Sequence, residues 1–436
     1  MDLPGTGQKF HPMTSTTRRA LLTMPLGSGG AAALVAASTE TSTLRTTSPA
    51  PPLVRTEPVL RPGLFQSFFM GGFECSTHWR TDGRRHDLLA ATQHDVLAEQ
   101  DYRQLAEHGI HTVRDGIRWH LIEAGAPGRY DWSSVLPMLR AGQAAGTQVI
   151  WDLCHYGWPD GFDVFSSAFV DRFERFAGAF ARLHVAELGR APMVCPVNEM
   201  SFLAWAGGEV GIMNPDTRQR GVELKRQLVR ATIAATHAVR AVAPEARLMA
   251  IDPLIHLVPR AGEDPRPAKA YLELQFQAWD MLAGRYEPGL GGAPGLLDVI
   301  GVNYYANNQE EYGGATLAPD DPRRRPLRAM LADAYARYQR PIFLAETSTE
   351  GDGRAAWLRH VGDELRAALQ LGVPVEGACL YPVLSHPGWD DDRYCPNGLL
   401  EMEVRGARRV EHTSLADELR QQQALLHTLL SERSQR

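Results

Sequence analysis

Met193-Val194-Cys195-Pro196-Val197-Asn198-Glu199 sets a five-residue apolar run directly against a polar pair. Ile342-Phe343-Leu344-Ala345-Glu346 repeats the design later in the chain. Short apolar runs bounded by polar or turn residues read as strands. Working outward from these two, six more appear: Phe68–Phe73, His111–Trp119, Gln148–Leu153, Leu248–Ile251, Val299–Tyr305 and Gly377–Val383. Longer amphipathic stretches lie between them, at Asp95–His108, Phe169–Glu187, Arg218–Val242, Ala268–Ala283, Leu327–Tyr338 and Ala355–Leu371, and Leu415–Leu430 follows the last strand. Gly109 and Gly372 end helical patterns just before a strand, as helix C-caps do. Eight strands alternating with helices predict a parallel α/β architecture, and the count favours a (β/α)8 TIM barrel. No GxGxxG follows an early strand and no phosphate-binding Walker loop occurs, so a doubly wound nucleotide-binding sheet has no support.

Composition narrows the function classes. The 436 residues are 44% hydrophobic and 22% charged, which excludes wholesale disorder. Lys plus Arg total 45 against 51 Asp plus Glu, a net of −6 that argues against nucleic acid as a partner. No run of about 18 apolar residues is present, so no membrane span is expected. Cys75, Cys154, Cys195, Cys379 and Cys395 are far apart and odd in number, so at least one thiol is free and neither a disulfide scaffold nor a zinc site is indicated; the first four read as buried apolar residues. No cofactor is implied.

Residues 1–57 differ from the rest. Arg18-Arg19 enters a weakly apolar, glycine-broken stretch ending near Val35-Ala36-Ala37-Ser38. This resembles a twin-arginine export signal with a small-residue cleavage site, which predicts a periplasmic or extracellular protein; a Thr/Ser/Ala/Pro tail with a chance Arg-Arg pair on a cytoplasmic protein is the alternative. The Thr, Ser and Pro of residues 38–57 then read as a flexible tether, leaving residues 58–436 as one catalytic domain.

In such a barrel the chemistry belongs at the carboxyl ends of the strands. Those ends carry Arg114 and Arg118, the run Asp152-Leu153-Cys154-His155-Tyr156-Gly157-Trp158-Pro159, Asn198-Glu199, Asn303-Tyr304-Tyr305, Glu346, and Tyr381 leading to Trp389. Two glutamates at a barrel mouth ringed by aromatics, His and Asn suit glycoside hydrolysis. One carboxylic acid protonates the departing oxygen, and the other attacks or activates water at the anomeric carbon.

Order and spacing of these motifs resemble a clan A retaining glycoside hydrolase, most closely the glycoside hydrolase family 1 (β-glucosidase) group, over most of residues 64–402. Val197-Asn198-Glu199 matches the family's acid/base motif, and Pro341-Ile342-Phe343-Leu344-Ala345-Glu346 its nucleophile strand. His155-Tyr156-Gly157-Trp158-Pro159 resembles its His-Trp-Asp-Leu-Pro run, and Gly301-Val302-Asn303-Tyr304-Tyr305 its sixth strand. Arg114, five residues before Trp119, matches the arginine of its second strand. The resemblance implies a retaining β-glycosidase acting on a carbohydrate, with Glu346 as nucleophile and Glu199 as acid/base. It further implies substrate-side roles for Arg114, His155, Asn198, Asn303, Tyr305 and Trp389. Two departures fall in the sugar subsite. The family's strand 1 glutamine has no clear equivalent in Gly71–Trp79, and an ungapped alignment puts Gly388 at its sugar-binding glutamate and Tyr381 at its first tryptophan. An endo-acting glucanase or mannanase, or a non-hydrolytic glycan-binding barrel, fits the same motifs.

Other residues have plainer readings. Trp158, like Trp389, is expected as a sugar platform ahead of a simple closure of the barrel mouth. His237 is expected to pack against a neighbouring helix, Asp390-Asp391-Asp392 to form a solvated loop, and Arg323-Arg324-Arg325 an exposed helix approach.

Overall fold

The computed structural model describes residues 63–406 and 408–434. Arg18-Arg19 and the tether at 38–57 lie outside the described residues. The strands are β1 (Phe69–Gly72), β2 (Thr112–Gly116), β3 (Gln148–Cys154), β4 (Met193–Val197), β5 (Arg247–Pro253), β6 (Val299–Asn303), β7 (Ile342–Thr347) and β8 (Val375–Leu380). Each pairs in parallel with its sequence neighbours, and β1 pairs with β8 to close the barrel. This is the expected (β/α)8 architecture, with every strand where the apolar runs put it.

Strand alternation sorts the side chains into two cores. Met70, Ile150, Met193, Cys195, Met249, Ile251, Val299, Phe343 and Cys379 fill the barrel, and Phe65 packs on Phe343 among them. The opposite faces, with Val149, Trp151, Val194, Leu248, Ala250 and Ile300, meet the helices. Outside lie α1 (His94–Glu107), α2 (Leu136–Ala145), α3 (Ser167–Leu188), α4 (Gly221–Val242), α5 (Leu327–Tyr338), α6 (Arg354–Gln370) and α7 (Thr413–Ser434). Helix α3 buries Phe169, Phe173, Phe176 and Phe180 at helical spacing and stops at Gly189, whose φ of 66° suits a residue without Cβ. All five cysteines are free thiols; Cys75, Cys154, Cys195 and Cys379 are buried, as expected, and Cys395 is buried as well. No helix of the described residues is long and apolar enough to cross a membrane.

Three local expectations change. The stretch expected as one helix over Ala268–Ala283 is divided into Pro265–Glu273, a single tight turn at Leu274–Phe276, and Gln277–Leu282. Helix α2 has no counterpart among the expected helices, since its Pro137 and Gly142 mimic a loop; Pro137 sits in the first turn, where no backbone donor is needed. His237 is exposed rather than packed, because α4 turns Thr236 and Val239 inward.

A buried ionic cluster ties α1 to β2 and to the carboxy-terminal hairpin of Leu400–Arg405 with Arg408–Glu411. His94 bridges Asp101 and Asp115, each at 2.8 Å, and stacks on Phe73. Tyr102 donates to Asp115, and Arg409 pairs with Asp101 at 2.9 Å. Burial alone disfavours the imidazolium, but the two carboxylates reverse that and raise His94 from 6.5 to about 9. A raised folded-state pKa contributes stability that is fully present below pH 6.5 and lost as pH climbs through about 9. The melting temperature should therefore fall between pH 6.5 and 10, with a shallower fall in His94→Asn; equal slopes in parallel thermal melts would contradict the bridge.

Candidate active site

The site grows from alternation in β2 and β3. Arg114 and Asp152 occupy inward positions one register step apart, Arg114 opposite Ile150 and Asp152 opposite Gly116. Both are fully buried, so neither can hold its charge without the other. Arg114 Nε and Nη2 donate to the two Asp152 oxygens at 3.0 and 2.6 Å. Its Nη2 also reaches Asn198 Oδ1 at 2.6 Å, and Nη1 reaches Glu346 Oε1 at 2.9 Å. Burial pushes the Asp152 carboxyl up, yet Arg114 and His155 overcome it and hold Asp152 below the ordinary carboxylate value. Arg114 thus joins β2, β3, β4 and β7 at one guanidinium.

Glu346 is aimed by a slip in the sheet. The β6–β7 register steps from Val302↔Leu344 to Asn303↔Glu346, so one extra residue of β7 is absorbed just before the glutamate. Its second oxygen accepts from the Tyr305 hydroxyl at 2.9 Å. Glu199 lies beyond the end of β4 with φ of 44°, the left-handed region that L-residues rarely adopt. Its backbone N–H donates to Ile251 O at 3.0 Å, and its carboxylate accepts from Asn303 Nδ2 at 2.8 Å and from the Tyr156 hydroxyl.

The expected site residues therefore converge, with one redistribution of tasks. Asn198 spends its amide on protein: Oδ1 on Arg114, Nδ2 on His155 Nε2 at 3.1 Å and on Tyr156 Oη at 2.9 Å. His155 is held at Nδ1 by Asp152 at 2.9 Å, so both of its nitrogens meet protein groups. Trp389 packs on His78, with ring centroids 4.5 Å apart, and edge-on to Tyr156. Trp158 instead packs edge-to-face on Phe169 of α3, which makes it a closure of the helix layer rather than a platform. The Asp390–Asp392 run is not simply solvated: Asp392 pairs with Arg80 at 2.6 Å and Arg84 at 3.1 Å, clasping the loop after β8 to the loop after β1. Arg323 is exposed, as expected, and pairs with Asp321 and Glu311.

Asp152 and Tyr156 belong to the site although neither stands among the expected site residues. A carboxylate inside the apolar run of β3 is a signal, since it requires a buried cation and Arg114 is the cationic residue on the adjoining β2. Tyr156, with φ of 64°, gives no such warning. Gly157 beside it is obligatory: a Cβ there would lie 1.8 Å from Thr77 Oγ1.

Cys75, Asp152 and His155 form the one group of metal-type ligand atoms gathered within 4.8 Å among the described residues. The chemistry is unsuited to a cation. Burial, with Asp152 and Glu74 nearby, keeps the Cys75 thiol far above its ordinary pKa, and Arg114 already occupies both Asp152 oxygens.

No protein-family model matches the chain, and no curated protein matches its sequence. Solved structures do match. The family 1 β-glucosidase from Thermotoga maritima superposes with a TM-score of 0.66 at 13% identity, covering 84% of this chain and 97% of that one. The Thermotoga maritima β-glucosidase in complex with castanospermine gives 0.67 at 15% identity, over 82% and 97%. The fold is that of the family 1 β-glucosidases. At this identity the likeness speaks for the barrel, its closure and the order of its elements.

Replacing Arg114 by Met leaves Asp152 and Glu346 buried without their shared cation, and should cost about 3–5 kcal/mol. Tyr305→Phe removes one hydrogen bond and should cost about 1 kcal/mol. Thermal and urea unfolding of the two variants checks the contrast; similar losses would contradict the central role of Arg114.

Proposed function

We propose that the chain is a retaining β-glycosidase, β-glucosidase-like in its machinery, that hydrolyses O-glycosidic bonds of a carbohydrate through a two-glutamate double displacement. The observation that carries this reading is the unlike dressing of the two carboxylates. Glu346 has a guanidinium on one oxygen and a phenol on the other. The amide of Asn303 and the phenol of Tyr156, both neutral, contact Glu199. A carboxylate fixed by a cation is positioned to attack, whereas one that takes its hydrogen bonds from an amide and a phenol is placed to give up and recover a proton.

In this mechanism Glu346 attacks the anomeric carbon while Glu199 protonates the leaving oxygen. A glycosyl–Glu346 ester forms, and the aglycone departs. Glu199 then removes a proton from water, which attacks the same carbon and releases the sugar. Retention requires the carboxyls to stand roughly 5 Å apart across the scissile bond. Asn198, whose two amide protons go to His155 and Tyr156, keeps the second lone pair of Oδ1 to accept from the sugar 2-hydroxyl, and Trp389 offers the sugar C–H surface the ring face away from His78. His155 acts one step back, by orienting Asn198. The β-glucosidase neighbour's complex with castanospermine supports a carbohydrate as substrate.

The sugar end differs from the family pattern. Gly388 sits in a tight loop where an added Cβ would lie 2.3 Å from Asp391 Oδ1, so the loop leaves little room for the glutamate of that motif. His78, lying on Trp389, stands at this edge instead. This favours a glycoside other than a plain β-glucoside.

Glu346→Ala should reduce turnover to background. Glu199→Ala should lose about 10²–10⁴-fold on glycosides with poor leaving groups and far less on dinitrophenyl glycosides. A panel of aryl β-glycosides, with mass-spectrometric trapping of a fluorinated glycoside on Glu346, measures both. Unchanged turnover in either variant, or binding across the panel without turnover, would overturn the reading. We also propose export through Arg18-Arg19: Lys at both positions should leave the protein in the cytoplasmic fraction, and continued secretion would refute that route.

A further inference from the structure

Beyond the proposed glycosidase centre, a second cavity opens on the other side of the barrel wall. It encloses about 120 Å³ and is lined by Ser201, Ala204, Trp205, Val222, Lys225 and Tyr271, among others. Along β5, Met249 and Ile251 enter the barrel interior while Leu248 and Ala250 face the helices. The same alternation turns Asp252 outward, toward Ser201 and the α4 helix that carries Lys225. None of Arg114, Glu346, Asn198, Tyr305 or Trp389 lines the cavity.

Its chemistry is specific. The walls are mostly apolar apart from Glu209, whose carboxylate accepts from the Gly221 N–H at 3.1 Å, and the space approaches the ~150 Å³ in which an apolar cavity holds a benzene ring. Lys225 supplies the cation. Its ammonium donates to Gln277 Oε1 at 3.0 Å and makes no ion pair among the described residues. Asp252, the carboxylate whose charge reaches it, is itself engaged by Ser201 through N–H at 2.9 Å and Oγ at 3.1 Å. Burial pushes Lys225 down and Asp252 up, so the Lys225 ammonium is held at a cost that an added anion beside it would reduce. Composition sharpens the point. The chain has only three lysines, Lys9, Lys225 and Lys269, among its 45 basic residues. A compact ammonium with rotatable donors stands here in a protein that otherwise uses arginine.

We propose that this cavity is a binding site, separate from the glycosidase cleft, for a small ring compound bearing one carboxylate, with the ring against Trp205 and Val222 and the carboxylate on Lys225. The site begins two residues past Glu199, on the helical segment that Glu199 leads into, Met200–Leu203 and Ala204–Val210.

Calorimetric titration of the intact protein with benzoate tests it without any reference to turnover, so it stands or falls apart from the glycosidase reading. Saturable binding on the order of 1 mM is expected from a ligand of this size. Lys225→Gln should weaken benzoate about tenfold or more, since it removes a charge-assisted contact, and should leave uncharged benzyl alcohol unaffected, which also reports an intact cavity. Ala204→Phe, which fills the space, should abolish binding of both, and decides the matter should Lys225→Gln fail to fold. Glu346→Gln, in the cleft, should leave benzoate affinity unchanged. Absence of saturable binding to the unmodified protein, equal affinity in Lys225→Gln, persistence in Ala204→Phe, or loss in Glu346→Gln would each overturn the proposal.

Discussion

Arg114 is the constraint on which the barrel mouth depends. A guanidinium with no solvent contact must satisfy its fixed fork of donors within the protein, and its partners arrive from three other strands. Asp152 neutralises it, Asn198 accepts from it, and Glu346 shares what charge remains. A buried ion pair contributes little net stability against an apolar core, but breaking one is costly. The arrangement therefore specifies geometry more than it stabilises: every strand register around the mouth must be right for all three acceptors to arrive together.

That dependence extends through polar contacts of decreasing charge. Asp152 fixes Nδ1 of His155, His155 and Tyr156 take the Asn198 amide protons, and Tyr156 reaches Glu199. The two glutamates, far apart in sequence, are thus linked by one continuous set of hydrogen bonds through Arg114, Asn198 and Tyr156. In a low-dielectric setting such a network is sensitive to the loss of any member. The rim of the barrel mouth, by contrast, is built from loops after β1 and β8 that are clasped by Arg80, Arg84 and Asp392 at the surface. Floor and rim are thus built separately, so the rim loops can change sequence without disturbing the register that holds Arg114 and its acceptors.

The barrel and both glutamates were legible because their signals are local. An apolar run needs only its own residues to be read as a strand, and a carboxylate directly after it is conspicuous. Asp152 was legible in principle but depends on the register between β2 and β3. Tyr156 and the His94 cluster were not: Tyr156 acts through a left-handed backbone, and Arg409 meets Asp101 across more than 300 residues. Helix α2 was hidden by a proline and a glycine that its cap and packing tolerate. His237 shows the reverse error, a polar residue on an amphipathic helix whose phase, fixed by Thr236 and Val239, points it outward.

The left-handed backbone at Glu199 has a consequence for how this chain can change. A side-chain-bearing residue held at φ of 44° works against folding by about 1–3 kcal/mol, a cost that glycine would remove. Thermostability and chemistry then pull in opposite directions at a single peptide unit. Selection for heat resistance alone would weigh that gain against the buried Asn303 and Tyr156 donors left without their acceptor, whereas a lineage that depends on the carboxylate has to recover the stability elsewhere in the barrel.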